Sequence, residues 1–299
     1  MERKTREKLQ ALEGLLDSWK SVAVGYSGGV DSTFLAAVCA RAVPSRAVLM
    51  HIVTPFSATP ERAAGSGQSA FGLPLISVPL DPFSLENVVR NDENRCYYCK
   101  LAGFSAILAE AQARGIEVVV DGSNADDAGD YRPGMHALEE LGVRSPLLET
   151  GWHKDEERAL LREWGIPVWG MPAGACLATR IPCGEPLTER KLAAVRACED
   201  YLHEHGLHQV RARLIEGSLQ VEASSEDLRV LASVGAPADA SDGASAPHEK
   251  GAWHGESAPS EEGAWRVALP EEMRAHLAGC VDGEVNPYVV LYSKGSMNR

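Results

Sequence analysis

The segment 25–32, with the sequence GYSGGVDS, has the residue types of a phosphate-binding loop. The adjacent Gly28 and Gly29 let the backbone approach a phosphate and leave N–H groups free to bind it. The two serine hydroxyls can donate further hydrogen bonds, and Asp31 can hold Mg²⁺ directly or through water. We therefore predict that the nucleotide is bound by Ser27, Gly28, Gly29, Val30, Asp31 and Ser32, and that Asp31 also binds magnesium.

This segment lacks the signatures of two common nucleotide loops. It contains neither the Gly-Lys-Ser/Thr of a Walker A loop nor the G-x-G-x-x-G of a dinucleotide-binding turn. A plain strand-to-helix turn with a capping serine is the remaining alternative. The segment follows an apolar run and precedes a helix-forming stretch, and this order favours a phosphate loop.

Three of the seven cysteines lie in two segments that suggest chemistry. Cys96 and Cys99 form a C-x-x-C within RCYYCK, and Cys176 begins CLATRIP. A C-x-x-C fits a redox pair, half a zinc site or part of an iron–sulfur site. Three thiolates can hold a [4Fe–4S] cluster and leave one iron open. We predict that Cys96, Cys99 and Cys176 are catalytic and bind such a cluster.

Apolar runs alternate with helix-forming stretches in the first part of the chain. This pattern is typical of an α/β fold with a parallel sheet covered by helices on both faces. In such folds ligands bind at the carboxyl ends of the strands. The predicted strands are 21–26, 47–53, 74–80 and 116–120, and the predicted helices of this part include 30–42 and 101–114.

The sequence changes character after about residue 185. We predict a first domain over 1–184 and a smaller α/β domain over 185–299, with helices at 190–204 and 226–233 and strands at 209–214 and 218–222. Residues 235–264 are rich in Ala, Gly, Ser, Pro and acids, so they bury too little apolar area to offset chain entropy. They are predicted to be a flexible insertion.

The charge balance restricts the partners. The formal net charge is -13, from 29 basic and 42 acidic residues, which argues against nucleic acid and anionic membranes as partners. No run of 18 apolar residues occurs, and Met1 to Lys20 has no apolar core of a signal peptide. We expect a cytoplasmic protein with no membrane partner. The sequence leaves open whether it forms a homo-oligomer.

The loop resembles the pyrophosphate loop (PP-loop) of the ATP pyrophosphatase superfamily, whose members bind ATP and attach AMP to a substrate oxygen. Further segments resemble the LarE family of ATP-dependent sulfur transferases, which build the nickel-pincer nucleotide cofactor of lactate racemase. The resemblance spans residues 1 to about 230 and resumes at the C-terminus. It is carried by RCYYCK (95–100), DGSNADDAGDYRPG (121–134), RSPL (144–147), ACLATRIP (175–182), VRARL (210–214) and KGSMN (294–298).

This resemblance implies a small-molecule substrate, pyridinium-3,5-biscarboxylic acid mononucleotide. Each carboxylate would be adenylated and then converted to a thiocarboxylate. One version of the family uses a single cysteine as the sulfur source and leaves it as dehydroalanine, whereas the other holds a [4Fe–4S] cluster on three cysteines. Cys96, Cys99 and Cys176 resemble the second version, although Cys176 also matches the region of the single donor.

Further residues are candidates for binding substrate and nucleotide, and the resemblance favours this role for the arginines. Arginine forks suit phosphate and carboxylate groups, although a solvated strand face is the alternative for Arg211 and Arg213. The predicted substrate-binding residues are Thr179, Arg180, Glu199, Arg211 and Arg213. Asp121, Asp126 and Asp127 are predicted to bind Mg²⁺ or water near the triphosphate, with helix capping as the alternative for Asp126.

The chain departs from the family pattern at Cys183 and over 287–294. Two other functions stay open at this point. One is a tRNA 2-thiolation enzyme of the same superfamily, against which the negative charge counts. The other is a non-catalytic cysteine module that binds metal or acts in redox reactions.

Overall fold

The computed structural model describes residues 3–58, 71–127, 133–171, 174–234 and 266–292. The chain divides into two compact units, Met1–Cys176 and Leu177–Arg299. The domain boundary expected from the sequence, between 184 and 185, lies a few residues further along the chain. The predicted insertion at 235–264 and the segment 294–298 lie outside the described residues.

The described part of the N-terminal unit contains one four-stranded, fully parallel sheet with the order β3–β2–β1–β4. The predicted parallel α/β fold is therefore confirmed. None of the helices in the described ranges is both long and apolar enough to cross a membrane. The strands are β1 (Val22–Gly25), β2 (Ala47–Val53), β3 (Leu75–Pro79) and β4 (Val118–Val120); the helices are α1 (Arg3–Asp17), α2 (Val30–Ala42), α3 (Glu86–Val89), α4 (Arg95–Ala113), α5 (Pro133–Glu140), α6 (Pro146–Glu149) and α7 (Lys154–Glu163).

Both faces of the two inner strands, β1 and β2, are largely buried, which explains why these strands are mostly apolar. Successive strand residues point to opposite faces. Val24 and Leu49 pack in one cluster with Phe34 of α2, whereas Ala23 and Met50 pack in a second cluster with helix α4. The two layers of helices hold the sheet in place, so that the loops after its strands start from fixed positions.

Helix α4 begins six residues earlier than predicted, at Arg95 rather than at Leu101. The predicted start was wrong because it followed the apolar run, whereas the helix already includes the polar and aromatic residues of the cysteine motif. In the structure the N–H of Tyr98 donates to the carbonyl of Asn94 at 3.2 Å, so the helical bonds already include the motif. Cys96 and Cys99 consequently lie one turn apart on one face of the helix.

The described part of the C-terminal unit holds a four-stranded mixed sheet with the order β5–β6–β8–β7. Its first two strands form an antiparallel hairpin whose turn residues, Glu216 and Gly217, both have positive φ, as the tightest hairpin turns require. The predicted helices and strands of this part are confirmed within one or two residues. The elements are α8 (Glu189–Glu204), β5 (Val210–Ile215), β6 (Ser218–Ala223), α9 (Ser225–Val234), β7 (Arg266–Ala268), α10 (Glu271–Cys280) and β8 (Val285–Leu291).

Candidate functional site

The glycine loop joins the end of β1 to the start of α2. Gly28 has a φ of 78°, a left-handed conformation that costs a residue with a Cβ atom about 1–2 kcal/mol. The hydroxyl of Ser27 lies 3.0 Å from that of Ser32 and accepts a hydrogen bond from the N–H of Gly29 at 3.3 Å. The loop is therefore closed by its two serines at the N-terminus of a helix, where N–H groups and the helix dipole favour an anion.

Two neighbouring elements fix the position of this loop. His51 of β2 is buried, and its Nδ1 lies 2.9 Å from the carbonyl oxygen of Tyr26. On the other side, a Cβ atom added to Gly122 would come within 3.0 Å of the backbone nitrogen of Ser32. The loop after β4 thus approaches the start of α2 as closely as a glycine allows, which leaves the glycine loop little freedom to move.

Asp31, at the start of α2, lies within a polar network that the sequence analysis missed. Its carboxylate is 3.1 Å from Lys154 Nζ and accepts a hydrogen bond from Asn124 Nδ2 at 3.4 Å. The same amide donates to Glu157 Oε1 at 3.0 Å. Glu157 is fully buried, and its Oε2 has no hydrogen-bond partner among the described residues. Burial, followed by the neighbouring Asp31, raises the pKa of Glu157 to about 9.

The sequence held one signal for these residues. Lys154 and Glu157 are three residues apart in α7, so they share a helix face, but the sequence does not reveal that this face packs beside the glycine loop. The orphaned carboxylate oxygen of Glu157 near Asp31 is chemically suited to a divalent cation. Mg²⁺ usually takes one or two carboxylates and completes its shell with phosphates and water, so this donor set fits magnesium.

The three aspartates after β4 each have partners within the chain. Asp121 is buried and accepts hydrogen bonds from the hydroxyls of Ser123 and Ser145. Asp127 accepts from the N–H of Asn124 at 3.2 Å. These two carboxylates therefore order the loop after β4, and their predicted contact with the nucleotide stays a prediction.

Asp126 binds a backbone N–H at the start of a helix, which agrees with the capping alternative. The helix is α7, however, and not α5, the next α-helix in the chain. It accepts a hydrogen bond from the backbone N–H of Lys154 at 2.9 Å and lies 2.6 Å from His153 Nδ1. The bond to His153, with that to Lys154, lowers the pKa of the Asp126 carboxyl. This contact places Lys154 beside the glycine loop.

The three predicted cysteines lie in the N-terminal unit, and two of them raise the pKa of the third. Cys96 and Cys176 are exposed, whereas Cys99 is half-buried. Burial, then the thiols of Cys176 and Cys96, raises the pKa of Cys99 to about 12. Arg95 Nη2 lies 3.6 Å from Cys96 Sγ and supplies a positive charge beside the group. The structure thus brings the two segments together, and their role as a shared catalytic site stays a prediction.

Within the described ranges no set of three or more His, Cys, Asp or Glu side chains is arranged as a metal site. The three thiols are therefore neighbours, but they do not converge as the ligands of one metal centre. In number and kind they fit a [4Fe–4S] cluster with one open iron. Cys183, which departs from the family pattern, is exposed.

Arg180 forms a buried ion pair in the C-terminal unit. Its Nε and Nη2 donate to the two carboxylate oxygens of Glu199 at 2.7 and 2.8 Å, a bidentate geometry. Glu199 also accepts from the N–H of Ala212 at 2.9 Å, and Arg180 Nη1 donates to the Thr179 hydroxyl at 3.0 Å. Helix α8 and strand β5 are thereby joined through one carboxylate.

Arg211 and Arg213 project from the same face of β5 and are buried, which excludes the solvated strand face. Arg213 donates to Glu222 Oε2 through Nε at 3.1 Å and through Nη2 at 2.9 Å. Arg211 donates to the carbonyl of Val210 at 2.7 Å and lies 5.6 Å from the ring centre of Tyr292. Burial, and then the positive charge of Arg180, lowers the pKa of Arg211.

The structure thus gathers all five predicted substrate-binding residues in the C-terminal unit. The sequence analysis missed Glu222, which neutralises Arg213. Its signal was its place in β6, where it pairs in register with Arg211 across the hairpin. Contact of these side chains with a substrate stays a prediction.

Comparison with known proteins identifies relatives over most of the chain. No family model matches. The chain is 37% identical to an uncharacterized protein of Synechocystis, over 74% of this chain and 83% of that protein. It is 24% identical to an uncharacterized protein of Methanocaldococcus jannaschii, over 71% of this chain and 81% of the relative.

A third relative has an assigned reaction product. It is the pyridinium-3,5-bisthiocarboxylic acid mononucleotide synthase of Lactiplantibacillus plantarum, 31% identical over 72% of this chain and 79% of the synthase. The similarity covers most of both proteins, so it extends well beyond a shared loop. The chain belongs to the LarE family, that of the pyridinium-3,5-bisthiocarboxylic acid mononucleotide synthase.

Proposed function

We propose that this protein is an ATP-dependent sulfur transferase that converts the carboxylates of pyridinium-3,5-biscarboxylic acid mononucleotide into thiocarboxylates. The observation that carries the proposal is that one compact unit contains both the glycine loop and the three neighbouring thiols. The first feature suits activation by ATP, and the second suits sulfur transfer. The name of the synthase from L. plantarum supports the same product.

Activation would use the glycine loop and the network around Asp31. A substrate carboxylate oxygen attacks the α-phosphorus of ATP, and the bond from that phosphorus to the bridging oxygen breaks, so pyrophosphate leaves. The N–H groups at the start of α2 and the two serine hydroxyls bind the phosphates. Asp31 would hold Mg²⁺ with Glu157 nearby, and the Mg²⁺ would supply charge neutralisation for the departing pyrophosphate. Lys154 lies where it can add a further positive charge.

Substrate binding would use the buried arginines of the C-terminal unit. Arg180, Arg211 and Arg213 offer planar groups that bind phosphate and carboxylate through paired hydrogen bonds. Glu199 and Glu222 hold two of these guanidinium groups in fixed orientations. Binding therefore requires little reordering of the arginines themselves, which lowers its entropic cost.

Sulfur transfer would use Cys96, Cys99 and Cys176. Their thiolates would hold a [4Fe–4S] cluster, which supplies a sulfide from its open iron when bound. The sulfur nucleophile then displaces AMP from the acyl carbon: the new C–S bond forms as the bond from carbon to the phosphate oxygen breaks. The alternative source is Cys176 alone, which would lose its sulfur and become dehydroalanine. A purely sacrificial mechanism has no use for Cys96 and Cys99, so we favour the cluster.

Substrate-dependent pyrophosphate release tests the activation step. We expect release with the pyridinium substrate, ATP and Mg²⁺, and its loss in Asp31→Ala with the fold intact, because a partly exposed acid carries little packing energy. Asp155→Ala is the matched control, since Asp155 is an exposed acid of α7 beside the network. Wild-type release in Asp31→Ala would contradict the assignment of the loop.

The source of the sulfur is tested by single Cys→Ala variants assayed without oxygen. If the cluster acts, variants of Cys96, Cys99 and Cys176 fall to the same low activity, because groups that act together are not additive. Cys183→Ala, at an exposed cysteine, keeps full activity. Iron and sulfide analysis with intact mass after one turnover separates the mechanisms: a loss of about 34 Da, the mass of H₂S, confined to Cys176 in an iron-free protein would overturn the cluster.

A further inference from the structure

Two cysteines of the C-terminal unit that the proposed reaction does not use form a thiol pair. Cys198 is fully buried in α8, and Cys280 is the partly exposed last residue of α10. One helical turn away from each, the ring of Tyr201 stacks on that of His276, with centroids 3.8 Å apart and planes 10° apart. This contact packs α8 against α10 and brings the two thiols together, so that Cys280 lies close enough to act on the thiol of Cys198.

The environments of the two thiols differ. Cys280 Sγ is partly accessible to solvent and donates to the carbonyl of His276 at 3.5 Å. Burial, and then the adjacent Cys280, raises the pKa of Cys198 to about 12. A small oxidant therefore reaches Cys280 first, because Cys198 is fully shielded from solvent. This asymmetry is the arrangement of an attacking and a resolving thiol.

We propose that Cys198 and Cys280 are a reversible oxidation site at which a peroxide forms a disulfide that cross-links α8 to α10. The Cys280 thiol loses its proton and the thiolate attacks one oxygen of hydrogen peroxide; the O–O bond breaks, and the hydroxide that leaves takes up that proton, so a sulfenic acid and one water result. The sulfur of Cys198 then attacks Cys280 Sγ; the S–S bond forms, the S–O bond breaks, and the thiol proton leaves with the hydroxyl as water. Two thiols lose two electrons, and one peroxide becomes two waters.

The cross-link would act on the helix that orders the arginine cluster. Glu199, the residue after Cys198, bonds both Arg180 and the N–H of Ala212. A disulfide at the adjacent position ties this helix covalently to α10. It also joins residues that are far apart in the sequence, and closing a long loop restricts the unfolded chain more than closing a short one. The oxidised protein should therefore be the more stable form.

Peptide mapping of the full-length protein tests the assignment. The reduced protein is treated with a small excess of hydrogen peroxide, denatured in iodoacetamide and digested without reductant. We expect a linked peptide containing Cys198 and Cys280 that disappears after dithiothreitol. Cys39, which is fully buried in α2, is the internal control and should stay alkylatable. Recovery of alkylated Cys198 together with Cys280 oxidised to sulfinic acid would overturn the proposal.

Thermal unfolding provides a second, independent readout. The oxidised wild type should unfold several degrees above the reduced wild type. Cys280→Ser should abolish this difference, because the pair cannot form, whereas Cys183→Ser, at an exposed cysteine, should retain it. An equal difference in Cys280→Ser would assign the stabilisation to other cysteines and contradict the proposed cross-link.

Discussion

Buried charge is balanced differently in two regions, the network around Asp31 and the arginine cluster of the C-terminal unit. Beside the glycine loop, the carboxyls of Asp31 and Glu157 share one lysine, and an oxygen of Glu157 is left without a partner in the described residues. In the C-terminal unit, Arg180 and Arg213 are each matched by a buried carboxylate. The first region has an excess of acid that favours a cation, whereas in the second two of the three arginines already have a carboxylate partner before any ligand arrives.

Under the proposed function, this contrast corresponds to two ways of preparing a site for an anionic ligand. A region that is to receive a metal together with a polyphosphate can leave acids undercompensated, because the incoming cation supplies the missing charge. A region that binds anions through arginines must hold the guanidinium groups without that help, so it carries its own carboxylates. The first should respond strongly to pH, and the second should depend on intact ion pairs.

The largest expected effect is at the buried pair of Arg180 and Glu199. Arg180→Ala should destabilise the protein by about 3–5 kcal/mol, because it leaves the buried Glu199 uncompensated. The matched control is Arg190→Ala, at the start of α8, the helix that carries Glu199. It removes an exposed ion pair with Asp282 and should cost about 0–1 kcal/mol. Urea unfolding measures the free energy of unfolding of both variants. Equal losses would contradict the claim that Arg180 compensates the buried charge of Glu199.

The second effect is the pH dependence of Glu157. Its pKa of about 9 in the folded protein exceeds the ordinary value of 4.5, so the folded state keeps a proton that the unfolded chain releases. Stability due to this group is therefore fully present below pH 4.5 and is lost as the pH rises toward 9. The loss approaches about 1.4 kcal/mol per pH unit.

Glu157→Gln tests this dependence, because glutamine keeps the acceptor for Asn124 and carries no titrating proton. Without magnesium, the variant should match the wild type near pH 4.5 and be more stable by on the order of 2–3 kcal/mol at pH 7. Urea unfolding across pH provides the measurement, with Asp155→Asn as the exposed control. If the free energy of unfolding of Glu157→Gln and of the wild type changed with pH in the same way, Glu157 would not titrate as proposed and the contrast between the two regions would be contradicted.

The smallest effect concerns the backbone of the glycine loop. Gly28→Ala should cost about 1–2 kcal/mol, because alanine disfavours the left-handed conformation. Gly29→Ala is the matched control: its φ is -77° and an added Cβ would meet only Ser27 Oγ, at 3.4 Å, so the loss should be smaller. Thermal unfolding measures both variants. A larger loss at Gly29 would mean that contacts rather than φ constrain the loop.

The sequence predicted the features that depend on local pattern. The apolar strands, the loop at 25–32 and the grouping of Cys96 with Cys99 all follow from composition and spacing. It did not predict features created by packing between distant segments. The burial of Glu157 and the proximity of Cys198 to Cys280 arise only when segments far apart in the chain pack together. Residue type and local spacing do not predict such contacts.

The placement of the cysteine motif in the first turn of α4 has an evolutionary consequence. The later turns of this helix carry Phe104, Ile107 and Ala111, which are buried against the sheet and fix the helix independently of its first turn. Cys96, exposed, and Cys99, half-buried, can therefore be exchanged for other residues without disturbing the core. Selection on the proposed sulfur source is thus separable from selection on the fold, so a lineage can gain or lose these cysteines while the parallel sheet and its glycine loop stay unchanged.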